Sequence, residues 1–263
     1  MTRGRLSSWA LGAAFVVVVG LAAADAIRTR GSPPAATTEL EQEERLRERL
    51  REDGVRGRLL VTGPTGCRTT VWSLPELRRL TERECARPEP AAAPRLPAPR
   101  AELERAGRRH LNAPFLTRRL RVLVDDVEWL AGERAAVLLS LRIAGRPDLG
   151  GNQLIAFFQG GRLTAQASFF RGDLRRLTAS PGGAYVAALP GFVLRANGSA
   201  ASLPQALVQA RALAWSPDGL WLALAQRGSV VLVSVASLEQ HDRDGSSLRT
   251  IDLPLEAREL DWR

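Results

Sequence analysis

The chain has 263 residues with 45% hydrophobic content, enough to bury one mid-sized core beside accessory segments, which excludes a wholly disordered protein. Its 37 basic residues are all arginine and stand against 28 acids, for a formal charge of +9. Uniform use of arginine reads as a compositional habit with a solvated surface, and the absence of an aromatic-interleaved basic groove or a recognition helix argues against nucleic acid as partner.

Residues 1–5 carry Arg3 and Arg5, a positive leader for the uncharged run from Leu6 to Ala24. That run is long enough to cross a bilayer core, so residues 6–25 read as a transmembrane anchor, with a cleaved signal peptide as the alternative because Ala22, Ala23 and Ala24 offer small-residue cleavage sites. Residues 26–56 follow as a linker, RGSPPAATT, and a charged helical stalk, Glu39 to Asp53. Acids lead and arginines trail there, which suits the helix dipole, while Leu40, Leu46 and Leu50 are too few for a coiled-coil seam.

From residue 57 to 263 the pattern changes to short apolar runs cut by turn residues, the signature of an all-β domain. Arg58 to Thr62 and Thr69 to Leu74, joined across Gly63-Pro64-Thr65-Gly66, read as a hairpin. The same turn lacks the lysine of a phosphate loop, since Arg68 stands there, and Pro75 interrupts the helix such a loop needs. Cys67 and Cys85 are the only cysteines. As a pair in an exported chain they are expected to form a disulfide, closing a loop for about 3 kcal/mol in the chain-entropy picture. A proline-rich insertion at 86–100 is a surface loop, and Ala101 to His110 a short helix.

Strand-length segments then run from Asp126 to Leu130, Ala135 to Leu141, Gln153 to Gln159, Arg162 to Phe169, Leu174 to Ala179, Tyr185 to Leu189, Phe192 to Arg195, Ala212 to Trp215, Trp221 to Gln226 and Val230 to Val235. Within them Trp215-Ser216-Pro217-Asp218-Gly219 makes a specific turn. Pro217 presets φ at the second position, Asp218 can accept from backbone amides, Gly219 takes a left-handed φ, and Ser216 caps. Ser180-Pro181-Gly182-Gly183 repeats the pattern, and Val127 to Phe158 is a weaker third copy. Self-similarity at this spacing is the mark of propeller blades.

These turns resemble those of exported bacterial WD-repeat-like propellers, among them the propeller domain of the Tol-system periplasmic protein, whose blades carry a Trp-Ser-Pro-Asp-Gly turn. The resemblance covers about two blades, and it implies a small propeller that serves as an interaction platform. The chain's last residues, LEARELDWR, look like the start of a blade without its hairpin, and the hairpin at Arg58 to Leu74 lacks a first strand. Leu260 and Trp262 are therefore expected to complete a shared blade, giving about four blades.

Chemistry-bearing constellations are few. Asp125, Asp126 and Glu128 form a tight acidic cluster, read as a solvated blade edge; Trp72, Trp129, Trp215, Trp221 and Trp262 are read as core packing. With His110 and His241 far from the cysteines, no metal or cofactor site is expected. The expectation is a non-catalytic, membrane-tethered, extracytoplasmic interaction module whose partner is an envelope protein or peptide. The alternative is an enzyme or small-ligand receptor using the central channel, favoured if carboxylates or histidines converge on channel-facing strands.

Overall fold

The computed structural model describes residues 39–66, 68–84, 94–110, 120–144, 152–169, 172–201, 203 and 207–263. The apolar runs become strands grouped in four antiparallel sheets of four. One sheet contains β1 (Gly57–Thr62), β2 (Arg68–Leu74), β3 (Arg78–Glu84) and β16 (Glu259–Trp262), in the order β16-β1-β2-β3. The next runs β4 (Leu120–Leu130), β5 (Arg134–Ile143), β6 (Asn152–Gln159) and β7 (Arg162–Phe169). A third holds β8 (Arg175–Ala179), β9 (Tyr185–Leu189), β10 (Phe192–Arg195) and β11 (Ala200–Ala201), and the fourth β12 (Ala212–Trp215), β13 (Trp221–Ala225), β14 (Val230–Ser234) and β15 (Thr250–Leu253). Each of the last three is ordered as the chain runs. Among the described residues three helices accompany them: α1 (Glu39–Glu52), α2 (Arg100–His110) and α3 (Val235–Asp244).

Central strands are continuous apolar runs because both of their faces are covered. In β5, Ala136 and Leu138 join Ile155, Phe157, Val186 and Leu194 in the core shared with the β8 sheet. The alternate residues Val137 and Leu139 join Leu103 and Ala106 of α2 on the opposite face. Sheets β8–β11 and β12–β15 share a second core, in which Ala187 and Leu189 meet Leu222, Leu224 and Val233. The strand β16 packs against β12 and β13.

Several features depart from the expected pattern. Strand β4 starts at Leu120, six residues before the run read as strand, and carries a bulge where Val124 faces Leu139 and Asp126 faces Leu138. Trp215, Trp221 and Trp262 are buried, but Trp129 is 48% exposed, so it is not core. Helix α3 follows directly on β14, where the sequence continues a strand-like pattern. Its start is marked by Ser234, whose Oγ accepts from the Ser237 amide, and its end by Gly245 at φ 73°, whose amide reaches the His241 carbonyl at 2.8 Å.

The chain divides into two units at Glu48 and Arg49. In the first, the described stretch is the helical Glu39 to Glu48, where Glu43 and Arg47 pair one turn apart. In the second, Leu50 is fully buried, Arg49 Nη2 donates to the Thr250 carbonyl at 2.7 Å, and Arg249 pairs with Asp53. The last turn of α1 thus belongs to the β unit, which begins at Arg49 rather than at Gly57. Among the described residues no helix is long and apolar enough to cross a membrane, and residues 6–25 lie outside them.

The β16 register gives a sharp test. Leu260 faces Val61 and Trp262 faces Leu59, and the Trp262 indole donates to the Arg56 carbonyl at 3.0 Å. Asp261, between them, is exposed. Trp262→Ala is expected to cost about 3–5 kcal/mol in urea unfolding, while Asp261→Ala stays within about 0.5 kcal/mol. Equal losses would contradict the burial pattern of this strand.

Candidate functional site

The two Ser-Pro turns are built alike. In the first, the Ser180 amide and carbonyl meet the Tyr185 carbonyl at 2.9 Å and the Gly183 amide at 2.7 Å, and Ser180 Oγ accepts from the Tyr185 amide at 3.1 Å. In the second, the Ser216 amide and carbonyl meet the Trp221 carbonyl and the Gly219 amide, both at 2.9 Å, and Ser216 Oγ accepts from the Trp221 amide at 2.9 Å. Asp218 adds a bond from the Leu220 amide at 3.0 Å and takes the Ser216 hydroxyl at 2.5 Å. Gly183 at φ 63° and Gly219 at φ 72° supply the left-handed positions, and Gly182 sits beside the first of them. Pro181 and Pro217 line one cavity, which links the repeat motif to a concave site.

That cavity has a volume of about 690 Å³. One edge strand from each sheet contributes to its wall, namely β16, β4, β8 and β12, with β1 beside β16. Its charged side chains are Asp126, Glu128, Glu259, Asp261 and Arg176. Four carboxylates face one guanidinium, so the wall favours cationic groups.

The carboxylates fall into two pairs. Asp126 Oδ2 accepts from the Leu177 amide at 2.6 Å, and Glu128 Oε1 from the Ala179 amide at 3.0 Å. Both reach from β4 to the backbone of β8, the strand at its sheet's edge, where unpaired amides need partners. From the other side the Trp215 indole donates to the Thr178 carbonyl at 3.1 Å. The acidic cluster read as a solvated edge is therefore partly buried and holds the neighbouring sheet. Its third member, Asp125, sits at the β4 bulge and accepts from Ser140 and from Gln153, whose amide also brackets the Leu174 backbone at 2.9 and 2.7 Å. The second pair, Glu259 and Asp261 on β16, is exposed to the cavity.

Burial pushes the Glu128 carboxyl above its ordinary range; the Ala179 amide pulls it back, and the nearby Asp126 charge raises it again. A further charged group fastens α3 to the β8 sheet. Tyr185 donates to Glu239 and stacks on Trp215 with centroids 6.1 Å apart, and burial followed by Glu239 pushes its phenol up to about 12. Arg195 completes that group by pairing with Asp242 at 2.8 Å. Among the described residues no three His, Cys, Asp or Glu side chains are placed to hold a metal ion.

No family model matches the chain, and no curated protein matches it. Among solved structures, the chain is similar to Kuenenia stuttgartiensis hydrazine synthase at 13% identity and a TM-score of 0.35, over 78% of this chain and 74% of that one. It is also similar to Kluyvelomyces marxianus Hsv2 at 12% identity and a TM-score of 0.26, over 68% and 57% of the two chains. Likenesses of this size carry nothing about chemistry.

Of the residues singled out in the sequence, Trp215, Pro217 and Pro181 reach the cavity wall, as do Leu260 and Trp262. Cys67 and Cys85 lie outside the described residues. Glu259, Asp261 and Arg176 went unnoticed because isolated charges in a charged chain carry no spacing signal.

The raised Glu128 carboxyl makes stability depend on pH. Protonated Glu128 suits the site better than ionised Glu128, so its contribution is complete below the ordinary value of 4.5, is lost as pH rises through the raised folded value, and stays lost above it. Glu128→Gln keeps an oxygen for the Ala179 amide. Its melting temperature is expected to match wild type near about pH 4 and to exceed it by a growing margin toward about pH 7. A constant difference across that range would remove the titration of Glu128 as the cause.

Proposed function

We propose that this chain is a non-catalytic binding module on the outer face of a cell membrane, tethered by residues 6–25, whose β unit is a small four-bladed propeller and whose cavity receives a cationic segment of an envelope protein or peptide. One observation carries the reading: an edge strand from each of the four sheets lines a single cavity in which carboxylates outnumber guanidiniums. Propellers converge their inner strands in this way and commonly bind ligands there. The pairing of β16 with β1 supports the same architecture, since joining the last strand to the first strand of the β unit is how a propeller closes its ring.

Binding is favoured over catalysis because Asp126 and Glu128 are committed to the β8 amides, whereas Glu259 and Asp261 are exposed; Glu259 meets no arginine among the described residues, and Asp261 pairs only with the exposed Arg263 at 2.7 Å, a partner that a ligand's lysine, arginine or amine can replace. The competing reading, an enzyme or small-ligand receptor in the same cavity, draws on the raised Glu128 beside Asp126, a pairing that acid–base chemistry uses. Export and the tether rest on the positive leader and the uncharged run.

Affinity capture of the full chain from detergent-solubilised membranes, read by mass spectrometry, tests the module. Wild type is expected to enrich an envelope protein that the Glu259→Arg, Asp261→Arg double variant loses by about tenfold or more. Failure to enrich any envelope protein, or equal enrichment by the variant, would overturn the reading. The tether is checked by the mass of the mature protein, expected to be intact; loss of about 24–26 residues would show a cleaved signal peptide instead.

A further inference from the structure

A second cavity, of about 540 Å³, adjoins the acidic one and shares Arg176, Leu189 and Glu259 with it. Its lining reverses the charge. Arg175, Arg176, Arg211 and Arg258 line it with Glu259 as the one carboxylate, so four positive charges against one negative leave +3. All four arginines are exposed, and among the described residues none of them pairs with a carboxylate. Elsewhere in the chain arginines do find acids, as Arg195 does with Asp242 and Arg249 with Asp53.

The backbone brings these guanidiniums together at some cost. Successive strand residues point to opposite faces, so Arg175 and Arg176 would ordinarily part. Here a bulge intervenes: Arg175 faces Leu189 and Leu177 faces Ala188, which leaves Arg176 outside the ladder at φ 53°. A left-handed backbone is uncommon for a residue with a Cβ, and bulges of this kind re-aim a side chain. Arg258 is set by its own amide, which donates to the Thr62 carbonyl at 2.7 Å, and by Gly66, where an added Cβ would lie 2.9 Å from Arg258 Nη1. Pro64 of the same β1–β2 turn completes the wall. Arg211 enters from the residue before β12, its amide donating to the Ala225 carbonyl at 2.7 Å. Three separate elements thus aim like charges into one concavity, where their potentials add.

We propose that Arg175, Arg176, Arg211 and Arg258 form a binding site for a multiply charged phosphate-bearing anion. A single carboxylate neutralises only one of the three excess charges, whereas each phosphate group brings about −1.5 to −2 and oxygens that match the planar guanidinium fork. A volume of about 540 Å³ suits a small ligand carrying two or more such groups. The site goes beyond the acidic-cavity reading and stands whether or not a peptide occupies that cavity.

Calorimetric titration of the purified full chain in detergent tests it, with sodium tripolyphosphate as one probe and phosphatidylglycerol mixed into the micelles as the other. Wild type is expected to bind with an affinity that falls as salt is raised. The Arg176→Gln, Arg258→Gln double variant is expected to lose about tenfold or more, with Arg162→Gln, Arg227→Gln, two exposed arginines outside the cavity, as a charge-matched control that binds as wild type. Thermal unfolding of each variant separates lost binding from lost fold; Gly66→Ala, which crowds Arg258 from outside the charge set, provides a second route to weakened binding. Arginine-dependent binding to tripolyphosphate assigns a free phosphate ligand, and arginine-dependent binding only to the doped micelles assigns a lipid headgroup; both support the site. Binding to neither, or binding unchanged in the folded double variant, overturns it. Because no envelope extract is used, this result is independent of the capture experiment.

Discussion

Backbone amides at the open edge of a strand have to find acceptors, and in this protein the edge of β8 finds them in the side chains of its neighbours. Asp126 and Glu128 accept from the Leu177 and Ala179 amides, and Trp215 donates to the Thr178 carbonyl from the opposite side. An unpaired amide removed from water costs as much as a lost hydrogen bond, and a carboxylate is a stronger acceptor than a carbonyl. These bonds therefore fix the β4 and β12 sheets against the β8 sheet at one register. The apolar cores on either side of the β8 sheet can then pack in one arrangement.

The cavities are what remains once that requirement is met. Acids on β4 are consumed by the β8 backbone, whereas acids on β16 stay exposed, Asp261 with only the exposed Arg263 beside it, so carboxylates of one chemical type divide into a structural pair and an exposed pair. At the adjoining mouth the balance runs the other way. Four arginines that meet no acidic partner among the described residues, one of them on a left-handed bulge, are a costly arrangement for a surface that needs only solubility. Placing an acidic concavity beside a basic one, with Arg176 and Glu259 in both walls, gives the β unit two oppositely charged pockets that share a boundary.

Much of the strand pattern was legible along the chain because it depends on local chemistry. The segments 185–189, 192–195 and 212–215 coincide with β9, β10 and β12, and both Ser-Pro turns have the hydrogen bonds that their residues imply. What escaped notice has an equally local explanation. Strand β3, RRLTERE, carries charge on both faces and shows no apolar alternation. Helix α3 begins inside a valine-rich run, and its start depends on the Ser234 cap rather than on periodicity. Trp129 was misread because an aromatic on a strand does not reveal which face is covered; residues on both sides of it are paired in the ladder, yet its side chain meets solvent.

By itself the sequence determined several strands, among them β9, β10 and β12, the turn geometry and the pairing tendency of β1 and β16, since alternation, proline, glycine and capping side chains act over a few residues. Only the tertiary structure decided which charges matter. Asp126 and Glu259 are 133 positions apart, and Arg176 and Arg258 are 82 apart, so no spacing along the chain marks them as neighbours. Their meeting depends on how sheets converge, and that convergence is governed by the β8 edge and the cores beside it. An arginine in a chain with 37 basic residues becomes a site only when folding places it among others and leaves it without an acid.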